Sequence, residues 1–142
     1  MAWLLGFLGI TANDLEDLRP IILKLHKAAY FLKLLRVYPF SLYDFDSYIH
    51  GPYSTILERD VENTIPNISD RGLELLLWFL DHDNRWLEVA TSILMIKESY
   101  HDIGDNEVLL ILRMSKPWVT DAEFNEIIRQ LRDKLSGVIA YI

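Results

Sequence analysis

The residues in this chain whose types could do chemistry are His26, His50, His82 and His101, the carboxylates Glu58 and Glu62, and Ser54 beside a Gly-Pro turn. Asp81-His82-Asp83 is the only histidine setting that resembles a ligand set. Adjacent residues rarely converge on one metal, and no H-E-x-x-H or comparable spacing occurs. A solvated helix end is the better account of it. His26 sits among helix lysines and is expected at the surface, and His101-Asp102 reads as a loop. Glu58 and Glu62 stand four apart, hence on one helix face. A catalytic pair also needs a cleft and separated pKa values, so a solvated acidic face accounts for this one. Ser54 lies in no G-x-S-x-G elbow, and no glycine-rich phosphate loop occurs. With no cysteine in the chain, disulfides, thiolate nucleophiles and cysteine zinc sites are excluded. The expectation is a protein with no catalytic residues, no metal ligands and no cofactor. A polar pocket joining Asp60 and His50 is the arrangement that would favour an enzyme.

The stretch YDFDSYIHGPYSTIL, residues 43–57, offers recognition chemistry instead. Pro52 restricts the backbone at Gly51 and fixes a turn, and aromatic rings crowd around it. Two readings stand side by side. Tyr48 and Tyr53 can bury their rings in the core and keep their hydroxyls at its edge. Alternatively, the rings form a groove for a peptide or partner protein. On the second reading Tyr43, Tyr48, Gly51, Pro52, Tyr53 and Trp118 are the protein-binding residues, with neighbouring acids setting charge preference.

Composition narrows the partners. The chain has 142 residues, a formal net charge of −7 and 51% apolar residues. That length suits one domain over residues 1–142 with a sizeable core. The negative charge gives no general attraction to nucleic acid or anionic membrane. Absence of cysteine fits a cytoplasmic location. The apolar start MAWLLGFLGI has no basic residue ahead of it and is too short to span a bilayer, so it reads as a short helix over about Ala2–Ile10. Together with Val138–Ile142 it forms an unusually apolar pair of ends, which either cover one another or meet in a homodimer.

Helix signals dominate the remainder. PIILKLHKAAYFLKLLR reads as one long central helix with Pro20 at its first position. Tyr43–Tyr48 reads as a short strand or extended run. Thr11 with Asp14 caps a short turn, and Thr55 with Glu58 caps a helix near Ile56–Asn63. Pro66 breaks the chain. Ser69 or Asp70 caps a helix with its stripe on Leu73, Leu76, Leu77 and Leu80, and Asp83 or Asn84 starts the next. Asp102 and Asp105 begin another. Thr120 with Glu123 forms a capping box for a helix carrying Phe124, Ile127, Ile128, Leu131 and Leu135, ended by Gly137. The fold expected is mainly α: a compact single domain of six or seven helices with one short extended segment, compatible with winged-helix ancestry.

Residues 105–135 have a helix-turn-helix outline. DNA binding by a transcription regulator is therefore the alternative function, disfavoured because Asp121, Glu123 and Glu126 crowd the end of the helix that would face phosphate.

KLHKAAYFL, then FDSYIHGPYSTILERD, then KPWVTDAEFNEII together resemble the small YwgA-like proteins of archaea and bacteria, and more distantly the SocA-like antitoxin domain, also called Panacea. Lys24, Lys27 and Tyr30 match the first element of that pattern. Phe45, Tyr48, Gly51, Pro52, Tyr53 and Ser54 match the second, Asp60 its acidic position, and Lys116, Pro117 and Thr120 its end. The resemblance implies a non-catalytic module that works by binding a protein partner, a toxin in the SocA-like case.

Overall fold

Two helices, Leu18–Leu34 and Asn84–Ser99, carry most of the packing of the other elements. In the computed structural model, which describes residues 2–9, 18–48, 51–54 and 67–142, helix α2 runs over Leu18–Leu34. It begins two residues ahead of the expected start. Pro20 still falls in its first turn, where a missing N–H costs no intrahelical bond. Ala28, Ala29, Phe31 and Leu32 are wholly buried. Two alanines side by side let neighbours approach from more than one direction, as a central helix requires. The helix ends in a Schellman turn: the N–H of Val37 donates to Leu32 O (3.0 Å) and that of Arg36 to Lys33 O (2.9 Å). The residue in the left-handed position is Arg36, at φ 61°. Glycine is favoured there, because a β-carbon in this conformation costs about 1 kcal/mol.

Helix α1 spans Ala2–Phe7, shorter than the apolar run that suggested it, and the chain turns at Gly9 with φ 70°. Leu4 enters the core. After α2 a 3-10 turn, Phe40–Leu42, leads into a hairpin of β1 (Asp46–Tyr48) and β2 (Gly51–Tyr53). The strands are antiparallel, with Asp46 opposite Tyr53, Ser47 opposite Pro52 and Tyr48 opposite Gly51. The extended segment expected here is thus folded back on itself. It rests on α2 and on a later helix, Asn84–Ser99. The expected caps at Thr11/Asp14 and Thr55/Glu58, the helix near Ile56–Asn63 and the break at Pro66 lie outside the described residues.

Helices α3 (Asp70–Leu80), α4 (Asn84–Ser99), α5 (Asp105–Ser115) and α6 (Asp121–Leu135) follow. Three of their starts follow the capping rule. Ser69 Oγ accepts from the Gly72 N–H (3.0 Å), Asp83 Oδ1 from that of Trp86 (2.8 Å) and Thr120 Oγ1 from that of Glu123 (3.1 Å). Glu123 leaves its expected box to bind an arginine instead. The stripe expected on α3 is rotated: Leu75, Leu76 and Phe79 are buried, whereas Leu77 is 55% exposed. Stacking of Phe79 on Phe31, with centroids 4.1 Å apart, fixes that rotation. The class is mainly α, with six α-helices and one two-stranded hairpin among the described residues.

Each apolar end contributes a residue to the chain's own core. Leu4 and Ile139 belong to the central cluster, and Arg132 Nε donates to the carbonyl of Ile142 at 3.0 Å. No helix among the described residues is long and apolar enough to cross a membrane.

Candidate functional site

A backbone forced to φ 116° at Gly51 brings the hairpin against the helices. A β-carbon at Gly51 would sit 3.1 Å from Thr91 Oγ1 and 3.2 Å from Lys27 Cε. Glycine is therefore required twice, for its dihedral and for the close approach. Pro52 is buried beside it. At the next step Ser54, also buried, donates its backbone N–H to Nδ1 of His26 at 2.9 Å. His26 is fully buried, which corrects its expected surface position. Its role is to satisfy a backbone group that the hairpin carries into the interior. With Nδ1 accepting, the neutral ring carries its proton on Nε2.

Beneath the hairpin lies an ionic cluster. Lys27 and Lys116 are 5% and 1% exposed, and Lys116 Nζ stands 4.0 Å from Glu88 Oε1. Burial pushes both lysine pKa values down, while the Glu88 carboxylate pulls each back up. Lys116 in turn pushes Lys27 lower. Thr91 and Ser92 on α4 return their hydroxyls to the carbonyls of Leu87 (2.7 Å) and Glu88 (2.8 Å), which keeps that helix face polar yet internally bonded.

Of the six recognition residues, the four whose burial is described do not form one surface. Tyr43 is 6% exposed, with its ring edge-on to Phe40 at 5.8 Å. Gly51 and Pro52 are buried too, so these three shape the interior rather than meet a partner. Tyr48 and Tyr53 lie in the two strands, and their rings fall outside the described residues. Trp118 is 40% exposed and stands at the far end of α5. The Arg85 guanidinium covers its ring at 4.2 Å. That arginine also grips Glu123 with two bonds, of 2.6 and 3.0 Å. His82 is stacked on Trp86 at 3.5 Å, and no cluster able to hold a metal occurs among the described residues.

An apolar face that none of those residues belongs to lies on α5. Leu110 and Met114 are 69% and 85% exposed, and their spacing of four places them on one side of the helix. Val108 and Leu112 occupy the buried side. A groove of about 590 Å³ is lined by Leu110, with Met114 one turn further along the helix; Tyr100, Ile103 and Ile111 wall it, and Asp102 and Glu107 rim it. Neither rim carboxylate makes an ion pair among the described residues. The segment NEVLLILRM carried the signal for this face: it is apolar all round, and a helix buried on only one side then exposes the rest.

The helix-turn-helix outline exists as α5, the turn at Lys116–Thr120, and α6. Several of its charges pair internally. Asp121 binds Arg113, and Arg129 is held by both Glu126 and Asp133.

The fold and this face define a mainly α-helical protein with an apolar, acid-rimmed surface among the described residues. No family model, curated protein or solved structure matches the chain.

Proposed function

We propose that the chain is a non-catalytic protein-binding module of the regulatory or antitoxin-like kind, acting in the cytoplasm through the exposed side of α5. The observation that carries this reading is the exposed pair Leu110 and Met114, the first of which lines a groove with apolar walls and an acidic rim. Monomeric proteins rarely leave such a patch uncovered. Asp102 and Glu107 select the partner's chemistry: an amphipathic helix whose apolar side chains enter the groove while Lys or Arg at its flanks meet the rim. The resemblance to SocA-like domains, which act by holding a toxin protein, supports the same reading.

Affinity capture with the wild-type chain and a Leu110→Asp/Met114→Asp variant, run side by side, tests the proposal. The expected result is a partner lost on the double substitution, whose protected segment is apolar with basic flanks. Undiminished capture by the variant, or recovery of only a second copy of the chain, overturns it.

A further inference from the structure

A second concave site opens where the last turn of α2 faces the end of α4. The cavity measures about 570 Å³, and its two walls have opposite charge. Lys33 lines it from α2 and Arg36 from the turn that follows, and Glu98 and Asp102 from α4 and the residues after it. His101 and Tyr141 form a third wall, stacked with centroids 4.6 Å apart and planes 12° from parallel. The volume suits a small organic molecule.

Arg36 singles this cavity out. Among the described side chains, Arg71, Arg85, Arg113, Arg129 and Arg132 each bridge a carboxylate. Arg36 bridges none, and it alone of the non-glycine residues described holds a positive φ. A residue kept in a conformation that favours glycine, exposed at the edge of a cavity it lines, suggests a ligand for its charge. Opposite it, Glu98 Oε1 accepts from the buried Tyr30 hydroxyl at 2.9 Å. That bond orients the carboxylate and leaves Oε2 for a cation. Carboxylates on one wall disfavour a phosphate or any multiply charged anion.

We propose that this cavity binds a small zwitterion of the amino-acid class, with its carboxylate on Arg36 and Lys33 and its ammonium group on Glu98 and Asp102. Arg36 supplies the planar fork that matches a carboxylate. The ligand's side chain lies along Val138, Ile139 and the stacked rings. Asp102 and His101 also border the α5 groove, whereas Arg36, Lys33, Glu98 and Tyr141 do not, so the cavity is tested apart from that face through those four.

The test is NMR titration of the full chain with the common α-amino acids and simple dipeptides, reading the His101 and Tyr141 ring signals. Concentrations to about 10 mM detect even a millimolar Kd. At least one of these probes is expected to shift both rings. Arg36→Gly is expected to abolish that shift while raising Tm by roughly 3 °C, since glycine relieves the left-handed position. Glu98→Gln keeps the acceptor for Tyr30 and is expected to weaken binding about tenfold or more. The proposal is overturned if no probe shifts the rings, if Arg36→Gly binds as wild type does, or if acetate and ethylammonium match the amino acids.

Discussion

The Cε methylene of Lys27 lies 3.2 Å from the point a β-carbon on Gly51 would occupy. That closeness ties the buried start of the second strand to a charged residue in the interior. Gly51→Ala is expected to lower stability by about 3 kcal/mol, from dihedral strain and from displacing the lysine stem and Thr91. Chemical denaturation measures it. A loss under 1 kcal/mol, by the order of magnitude of such strain, would show that the hairpin can lift off its support at little cost.

Burial of Lys27 has a pH signature whose sign is unusual. Its pKa is lowered chiefly by desolvation. Well below the lowered value, both folded and unfolded chains carry the proton, and the full cost of the buried charge is present. Between the lowered value and the ordinary 10.5, the unfolded chain binds more protons, so stability rises with pH. Tyr30 acts oppositely at higher pH: burial raises its pKa, so the unfolded chain ionises first and stability falls above about pH 10. Lys27→Met removes the first contribution alone. Wild type is therefore expected to gain on the variant as pH rises from neutrality toward that limit, as followed by urea midpoints. A constant difference across that range would mean that Lys27 titrates as a solvated lysine does.

Much of the helical framework was legible because local signals and tertiary packing agree. Ser69, Asp83 and Thr120 stand at helix starts by sequence and cap them in space. Legibility fails where long-range contacts decide. The rotation of α3 depends on Phe31, far away in sequence, so the periodic choice of Leu77 over Phe79 was wrong. His26 and Lys27 look like surface residues in a one-dimensional reading, yet a hairpin more than twenty residues later covers them. The Gly-Pro turn was visible, but which side of it faces inward was not. The α5 surface was visible only as an excess of apolar residues, because periodicity does not show which of two apolar sides a neighbour covers.

Arg132 joins the start of α5 to the chain's last residue. Its guanidinium binds both oxygens of Asp105, at 2.8 and 2.6 Å, and also the carbonyl of Ile142. Those bonds hold the Asp105 pKa below its ordinary 3.8. This contribution is fully present above 3.8 and fades as pH falls through the lowered value. Arg132→Met is expected to destabilise the chain equally at all pH values from neutrality down to about pH 4 and progressively less below it. Hydrogen exchange at residues 138–142 should quicken at neutral pH in the same variant. Unchanged exchange there would show that packing of Ile139, rather than Arg132, holds the tail.

The two sides of α5 should respond in opposite ways to substitution. Leu112 is 1% exposed, and Leu112→Ala removes buried methyl groups and leaves a cavity, at a cost of about 3 kcal/mol. Leu110, two residues away, is 69% exposed. A charge there enters water, so Leu110→Glu is expected to change stability by no more than about 0.5 kcal/mol. The same substitution puts a carboxylate where a partner's apolar side chain would sit, beside Asp102 and Glu107, and association should fail. Thermal denaturation and a binding measurement on the same samples separate the two effects. If Leu110→Glu costs as much stability as Leu112→Ala, the face belongs to this chain's own core and no partner is needed to explain it.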